Sequence, residues 1–354
     1  MQNFTYTANP GRILFGFGTL EKLAGEIRAA GMTRVLLLST PHQADQVQAV
    51  AKSLGDLSAG VFSDARMHTP AEVTERALKS LKSLRADGIV SLGGGSTIGL
   101  GKALALRTNL PQIVIPTTYA GSEMTPILGE TTDGVKRTLR SDEVLPETVL
   151  YDVELTMGLP VEMSGLSGMN AVAHAVEALY CKEANPITSL IAAEGIRALT
   201  GALPRIAQDG ADREARSDAL YGAWLCGTCL GTVGMALHHK LCHAIGGAFD
   251  TPHAATHAIV LPHALAYTAP AIPEVMTRLG ETLGCDDPAL RLYEIGHEIG
   301  APDGLKALGM PEDGIARIVE LSLRDPYWNP RPLERDALTR LLEDAYHGHP
   351  PQRH

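Results

Sequence analysis

The most constraining feature of the chain is Ser91-Leu92-Gly93-Gly94-Gly95-Ser96-Thr97. It joins an apolar run, Gly88 to Leu92, to a helix-patterned segment running through Lys102 to Leu106. Adjacent glycines let backbone N–H groups approach a ligand closely. Ser96 and Thr97 add hydroxyls at a helix start, where the macrodipole attracts negative charge. A strand, a glycine loop and a helix in that order form a pyrophosphate-binding unit of a parallel α/β domain. The loop is neither GxGxxG nor a Walker A loop, since no Gly-Lys-Ser/Thr follows. The competing reading is a turn that needs glycine only for positive φ.

The same alternation extends on both sides. Val35 to Ser39, Gly60 to Phe62, Gln112 to Pro116 and Thr148 to Asp152 are short apolar runs. Runs of this kind suit strands buried on both faces. Segments such as Ala71 to Arg85 place leucines and valines at helical period between them. After Leu159-Pro160 the texture changes to helix patterns broken by Gly and Pro, with Ile187 to Leu203 reading as a buried helix. The expected architecture is an α/β domain over residues 1–160, Rossmann-like with a parallel sheet, and an all-α domain over 161–354. The tail Gly348-His349-Pro350-Pro351 reads as disordered.

Two more segments join the nucleotide reading. Pro116-Thr117-Thr118-Tyr119-Ala120-Gly121-Ser122 follows a strand directly, and hydroxyls there belong at the ligand-bearing edge of a parallel sheet. The candidate cofactor-binding residues are therefore Ser39, Gly94, Gly95, Ser96, Thr97, Thr117, Thr118 and Ser122. Ser39-Thr40 offers hydroxyls where an acidic residue would hold ribose hydroxyls and repel a 2′-phosphate. Nothing electrostatic excludes NADPH, so use of either NADH or NADPH is expected.

Net charge of −10 and the lack of a basic block argue against nucleic acid or an anionic membrane as partner. No apolar run approaches the ~20 residues of a membrane span. The start, Met1 to Tyr6, lacks a signal-peptide pattern. Five scattered cysteines fit a reducing cytoplasm. Cys226-Gly-Thr-Cys229 has CxxC spacing in an apolar stretch and reads as buried core thiols. An acidic protein acting on an anion needs a local positive-leaning pocket, which draws attention to the histidines.

Six of the 13 histidines fall at positions 238, 239, 243, 253, 257 and 263. His239 and His243 share a helical face, as do Asn170 and His174. His253 follows Thr251-Pro252, which ends one helix and starts another. His174, His239 and His253 together would make a three-imidazole pocket. His257 and His263 read as structural.

These ordered motifs resemble the iron-containing alcohol dehydrogenase superfamily over nearly the whole chain: GGGS after a strand, PTT after the next, then (D/N)xxxH, HxxxH and TPH. The resemblance implies a dehydroquinate synthase-like fold. In metal-using members the ligands are an Asp, the His four residues on, the first His of HxxxH and the His of TPH. These map onto Asn170, His174, His239 and His253. His243 matches an active-site position that is not a ligand, and Lys136 completes the candidate cofactor set.

Asn170 departs from the Asp ligand, and the Pro116 to Thr125 segment, Gly99 where most alcohol dehydrogenases carry Asp, and Asn329-Pro330-Arg331-Pro332 resemble the maleylacetate reductase branch. A neutral amide is a poor ligand for Fe²⁺ or Zn²⁺, so no metal is expected. The branch implies reduction of a small dicarboxylate, maleylacetate, in the catabolism of aromatic compounds, by a homodimer. The catalytic candidates are His243, Asn170, His174, His239, His253 and Tyr119, with His243 first and Tyr119 second as proton donor. Lys240 or Arg331 would assist a substrate carboxylate. The alternatives are a metal-dependent alcohol dehydrogenase, a lyase or cyclase related to dehydroquinate synthase, and a non-catalytic nucleotide-binding protein.

Overall fold

A computed structural model describes residues 4–9 and 11–353, with the side chain of Lys136 outside that set. It divides into two compact units, Ala8–Leu159 and the chain from Pro160 onward together with the described residues before Ala8.

The first unit carries strands β1 (Arg12–Gly16), β2 (Val35–Leu38), β3 (Ser58–Phe62), β4 (Gly88–Gly93), β5 (Gln112–Pro116), β6 (Ile127–Thr132), β7 (Val135–Arg140) and β8 (Thr148–Asp152). Helices α1 (Leu23–Ala29), α2 (Ala44–Leu54), α3 (Ala71–Ser83) and α4 (Gly95–Thr108) connect them. Six strands form a parallel sheet in the order β1-β8-β5-β4-β2-β3. The continuous apolar runs follow from burial on both faces. Val35 and Leu37 of β2 pack with Ile27 of α1 and Val47 of α2. Leu36 and Leu38 meet Val73 of α3 and Leu104 of α4 on the other side. The chain leaves β2 for β3 on one side and returns to β4 on the other. That reversal puts a topological switch point at the carboxyl ends of β2 and β4, where open α/β sheets take their ligands.

The sequence reading finds β2, β3, β4, β5 and β8 and misses three strands. β1 is a partly exposed edge strand with only Leu14 buried, so its pattern is weak. β6 and β7 form a separate antiparallel hairpin. Its turn is Asp133-Gly134, with φ 51° and 74°. An Asp-Gly pair at positive φ is a strong hairpin signal.

The second unit is helical: α5 (Val161–Ala178), α6 (Pro186–Gln208), α7 (Arg213–Thr232), α8 (Leu237–Phe249), α9 (His253–Thr268), α10 (Pro273–Leu283), α11 (Pro288–Glu298), α12 (Gly314–Arg324) and α13 (Arg335–His347). Leu241 and Ile245 of α8, Val260 of α9, Ile318 of α12 and Leu341 of α13 share one core. Every residue of α5 from Gly168 to Ala178 is buried. Among the described residues no single helix is long and apolar enough to cross a membrane. The tail is ordered, a correction to the expected disorder. Tyr293 donates its hydroxyl to Gly348 O at 2.7 Å, and the His349 amide bonds to Asp344 O at 3.0 Å.

Candidate active site

In the first unit the glycine loop follows β4 and opens α4. Gly94 is the N-cap of α4, and a Cβ on it would lie 2.9 Å from Thr118 Cγ2. Gly93, at φ 152°, would place a Cβ 2.5 Å from Thr97 Oγ1 and 2.8 Å from Gln43 Oε1. The glycines thus let the loop after β5 lie against the loop after β4, and Thr117 N bonds to Gly93 O at 3.1 Å. Gln43, unnoticed in the sequence, donates Nε2 to Thr117 Oγ1 at 3.1 Å. Gly95 is exposed, with no atom within 4 Å of a Cβ placed on it.

The other candidates of this unit are placed as follows. Ser96, Thr118 and Ser122 are partly exposed, while Thr97 and Thr117 are buried. Ser39 is buried, and its hydroxyl donates to Thr40 O at 3.0 Å. Tyr119 is fully buried. The Lys136 side chain lies outside the described residues. Lys102, on α4, is buried and donates to Ser122 O, Thr125 O, Thr125 Oγ1 and Ile127 O at 2.6–2.9 Å. It ties the helix of the glycine loop to the segment after β5.

In the second unit the histidines assemble from three helices. α5 supplies Asn170, His174 and Glu177, on one face at spacings of four and three. α8 supplies His238, His239 and His243, and α9 supplies His253 and His257. The rings of His174 and His239 stack with centroids 5.1 Å apart. His239 lies 6.0 Å from His243 and 4.9 Å from His257, and His253 lies 4.3 Å from His257. His257, which reads as structural in the sequence, lies within the cluster.

Asn170, His174, His238, His239 and His257 are buried, whereas His243 and His253 are exposed. Burial first, and neighbouring imidazoles second, hold His174, His238 and His257 well below the ordinary histidine pKa. They are neutral rings. Asn170 Oδ1, His174 Nδ1, His239 Nε2 and His257 Nε2 are buried without a hydrogen-bond partner. Buried polar atoms are almost always paired, so four orphans in one cluster mark a place for a polar ligand.

The carboxylate in the cluster is Glu177, fully buried, accepting from His239 Nδ1 at 2.7 Å. Sequence reasoning missed it. The available signal was its position three residues after His174, on the Asn170 face. His243 Nδ1 lies 3.1 Å from the Tyr327 hydroxyl. Lys240 Nζ sits 5.4 Å over the Tyr327 ring and 3.9 Å from Asp325. Arg331 stacks over Tyr267 at 4.1 Å and donates to Tyr267 O at 2.7 Å, so its guanidinium is engaged within the fold.

His238, Cys242 and His257 bring their ligand atoms within 4.8 Å of one another, the one such trio of His, Cys, Asp or Glu among the described residues. His238 Nε2 and His257 Nδ1 are already hydrogen-bonded at 2.9 Å. Burial pushes the Cys242 thiol well up.

This fold and cluster correspond to one family. The iron-containing alcohol dehydrogenase profile matches residues 10–153, and the C-terminal profile of the Fe-containing alcohol dehydrogenase family matches 165–346. The chain belongs to the iron-containing alcohol dehydrogenase family of oxidoreductases. Within it, the chain is similar to maleylacetate reductases. That of Rhizobium sp. strain MTP-10005 is 55% identical over 352 residues, covering 99% of this chain and 100% of the relative. That of Sphingobium indicum is 52% identical over 348 residues, covering 98% and 99%. The crystal structure of maleylacetate reductase from Agrobacterium tumefaciens superposes with a TM-score of 0.97 at 54% identity, covering 99% and 100%.

Proposed function

We propose that the chain reduces the carbon–carbon double bond of maleylacetate to give 3-oxoadipate, with NADH or NADPH as hydride donor and no metal ion, in the breakdown of aromatic compounds. The observation that carries this reading is Asn170 within the cluster of buried, partnerless imidazole nitrogens. Full-length identity of 50–55% to enzymes named maleylacetate reductase supports the substrate. A homodimer is proposed from the resemblance alone.

The residues at the family's ligand positions do not fit iron or zinc. Asn170 brings no charge to offset desolvation of a dication. Glu177 has both carboxylate oxygens engaged by N–H donors. The site is left as a polar pocket of imidazoles and one amide.

Asn170, His174, His239, His243 and His253 are proposed to hold the substrate dianion, and the glycine loop with Thr97, Thr117 and Thr118 the cofactor. Hydride from the reduced nicotinamide reaches the alkene carbon β to the ketone. The electron pair of the double bond moves to leave an enolate on the ketone oxygen. The polar pocket stabilises that oxyanion, and a proton delivered to the adjacent carbon completes the product. His243 is the proposed donor: it is exposed, and Tyr327 orients its ring.

The test is NADH and NADPH oxidation with maleylacetate, using chelator-treated protein whose metal content is measured. Turnover without metal is the expected result. Activity that is lost on chelation and restored by Fe²⁺ or Zn²⁺ assigns the chain to metal-dependent chemistry instead.

A further inference from the structure

We infer that Glu177 is a positioning residue, which holds a proton on His239 Nδ1 and so makes Nε2 the one nitrogen that His239 offers a ligand. The inference rests on the proposed role of the histidine cluster. Glu177 lies on α5, fully buried, and reaches the N-terminus of α8. Its Oε1 accepts the His238 amide at 2.7 Å. Its Oε2 accepts the Ala236 amide at 2.8 Å and His239 Nδ1 at 2.7 Å.

The N-cap of α8, Ala236, has no side-chain group to satisfy the first-turn amides. Glu177 supplies that cap from another helix, and the positive end of the α8 dipole stabilises its buried charge. An ionised carboxylate is an acceptor only. Nδ1 of His239 therefore carries the hydrogen of their contact, and the ring is pinned on the side away from Nε2. Nε2 is buried and has no partner in the protein. A carboxylate on one imidazole nitrogen fixes the tautomer and raises the basicity of the other. Nε2 is then the stronger acceptor, open to an N–H or O–H of a ligand brought against it.

Glu177→Gln separates this role from simple capping. The glutamine oxygen still accepts the His238 amide, while the Ala236 amide loses its acceptor equally with and without His239. The glutamine NH₂ turned toward Nδ1 is a donor, and the ring proton moves to Nε2. Expected is a fall in kcat of about 10- to 100-fold, with the dissociation constant for NADPH alone unchanged. In a His239→Asn background the same change should add no further loss, since Glu177 acts through His239. Equal losses with and without His239 would overturn the inference.

Imidazole ¹⁵N spectra of the wild-type protein, with His239 assigned by comparison with His239→Asn, test it without any Glu177 variant. Protonated Nδ1 is expected, and a bare Nδ1 with its proton on Nε2 overturns the inference. These spectra do not depend on turnover. Failure of maleylacetate as a substrate would sink the proposed function and leave the tautomer result standing.

Discussion

Thr118 lies so close to Gly94 that a Cβ there would stand 2.9 Å from its Cγ2 and 3.0 Å from its Oγ1. Gly94→Ala pushes apart the two loops proposed to grip the cofactor. The expected result is NADH binding at least about tenfold weaker, a loss near 1.4 kcal/mol, read by quenching of protein fluorescence. Gly95→Ala is the informative companion, because its Cβ meets no protein atom within 4 Å. Weaker binding with an unchanged melting temperature in that variant places the nucleotide against Gly95. Unchanged binding in both variants removes the glycine loop from the cofactor site.

The hydrogen bond between His243 Nδ1 and the Tyr327 hydroxyl, 3.1 Å long, orients an otherwise exposed ring. His243→Asn should lower kcat by about 100-fold or more, as loss of a general acid does. Tyr327→Phe removes only the orienting bond. It should lower kcat by about tenfold, the worth of one hydrogen bond, with KM little changed. Stopped-flow single-turnover oxidation of NADH isolates the chemical step. A Tyr327→Phe enzyme at wild-type rate would leave His243 without an oriented role.

Asn170→Asp restores the carboxylate of metal-using relatives among the same imidazoles. The variant should bind Zn²⁺ at least about tenfold more tightly than wild type, since a charged oxygen replaces a neutral one as ligand. Equilibrium dialysis with elemental analysis gives the affinities. Equal affinity in the two proteins would show that the amide is not what disfavours the ion. Turnover of maleylacetate by the variant is expected to fall, because a second carboxylate repels the dianion.

His174, His238 and His257 are buried neutral and held well below the pKa they have when unfolded. The unfolded chain then binds more protons than the folded one as pH falls through the ordinary histidine range. Their stabilising contribution is complete above about pH 6.5 and is lost progressively below it. Three such groups give a slope of up to about 4 kcal/mol per pH unit. Urea unfolding at pH 8, 6.5 and 5.5 should show little change over the first interval and a steep loss over the second. A flat profile down to pH 5.5 would mean that these rings are not buried neutral.

Much of this was legible in the chain. Strands buried on both faces are continuous apolar runs, so β2, β4, β5 and β8 declare themselves. The half-exposed β1 does not, because its pairing with β8 comes from a strand more than 130 residues away in sequence. The glycine loop and the Asn170/His174 and His239/His243 pairs stand out because helical spacing is a local property. Arg331 shows the limit of such reading, since its stacking on Tyr267 comes from a helix 64 residues earlier.

The sequence by itself determined the α/β and helical halves, the glycine loop and which histidines could share a face, since all of these follow from local period and backbone freedom. Only the tertiary structure decided that Glu177, an ordinary helical acid to the eye, is buried against His239. It also decided that His257 joins the cluster and Lys102 ties α4 to the segment after β5. Burial and partnership depend on which helices meet, and no local pattern encodes the depth of a side chain or the group that faces it.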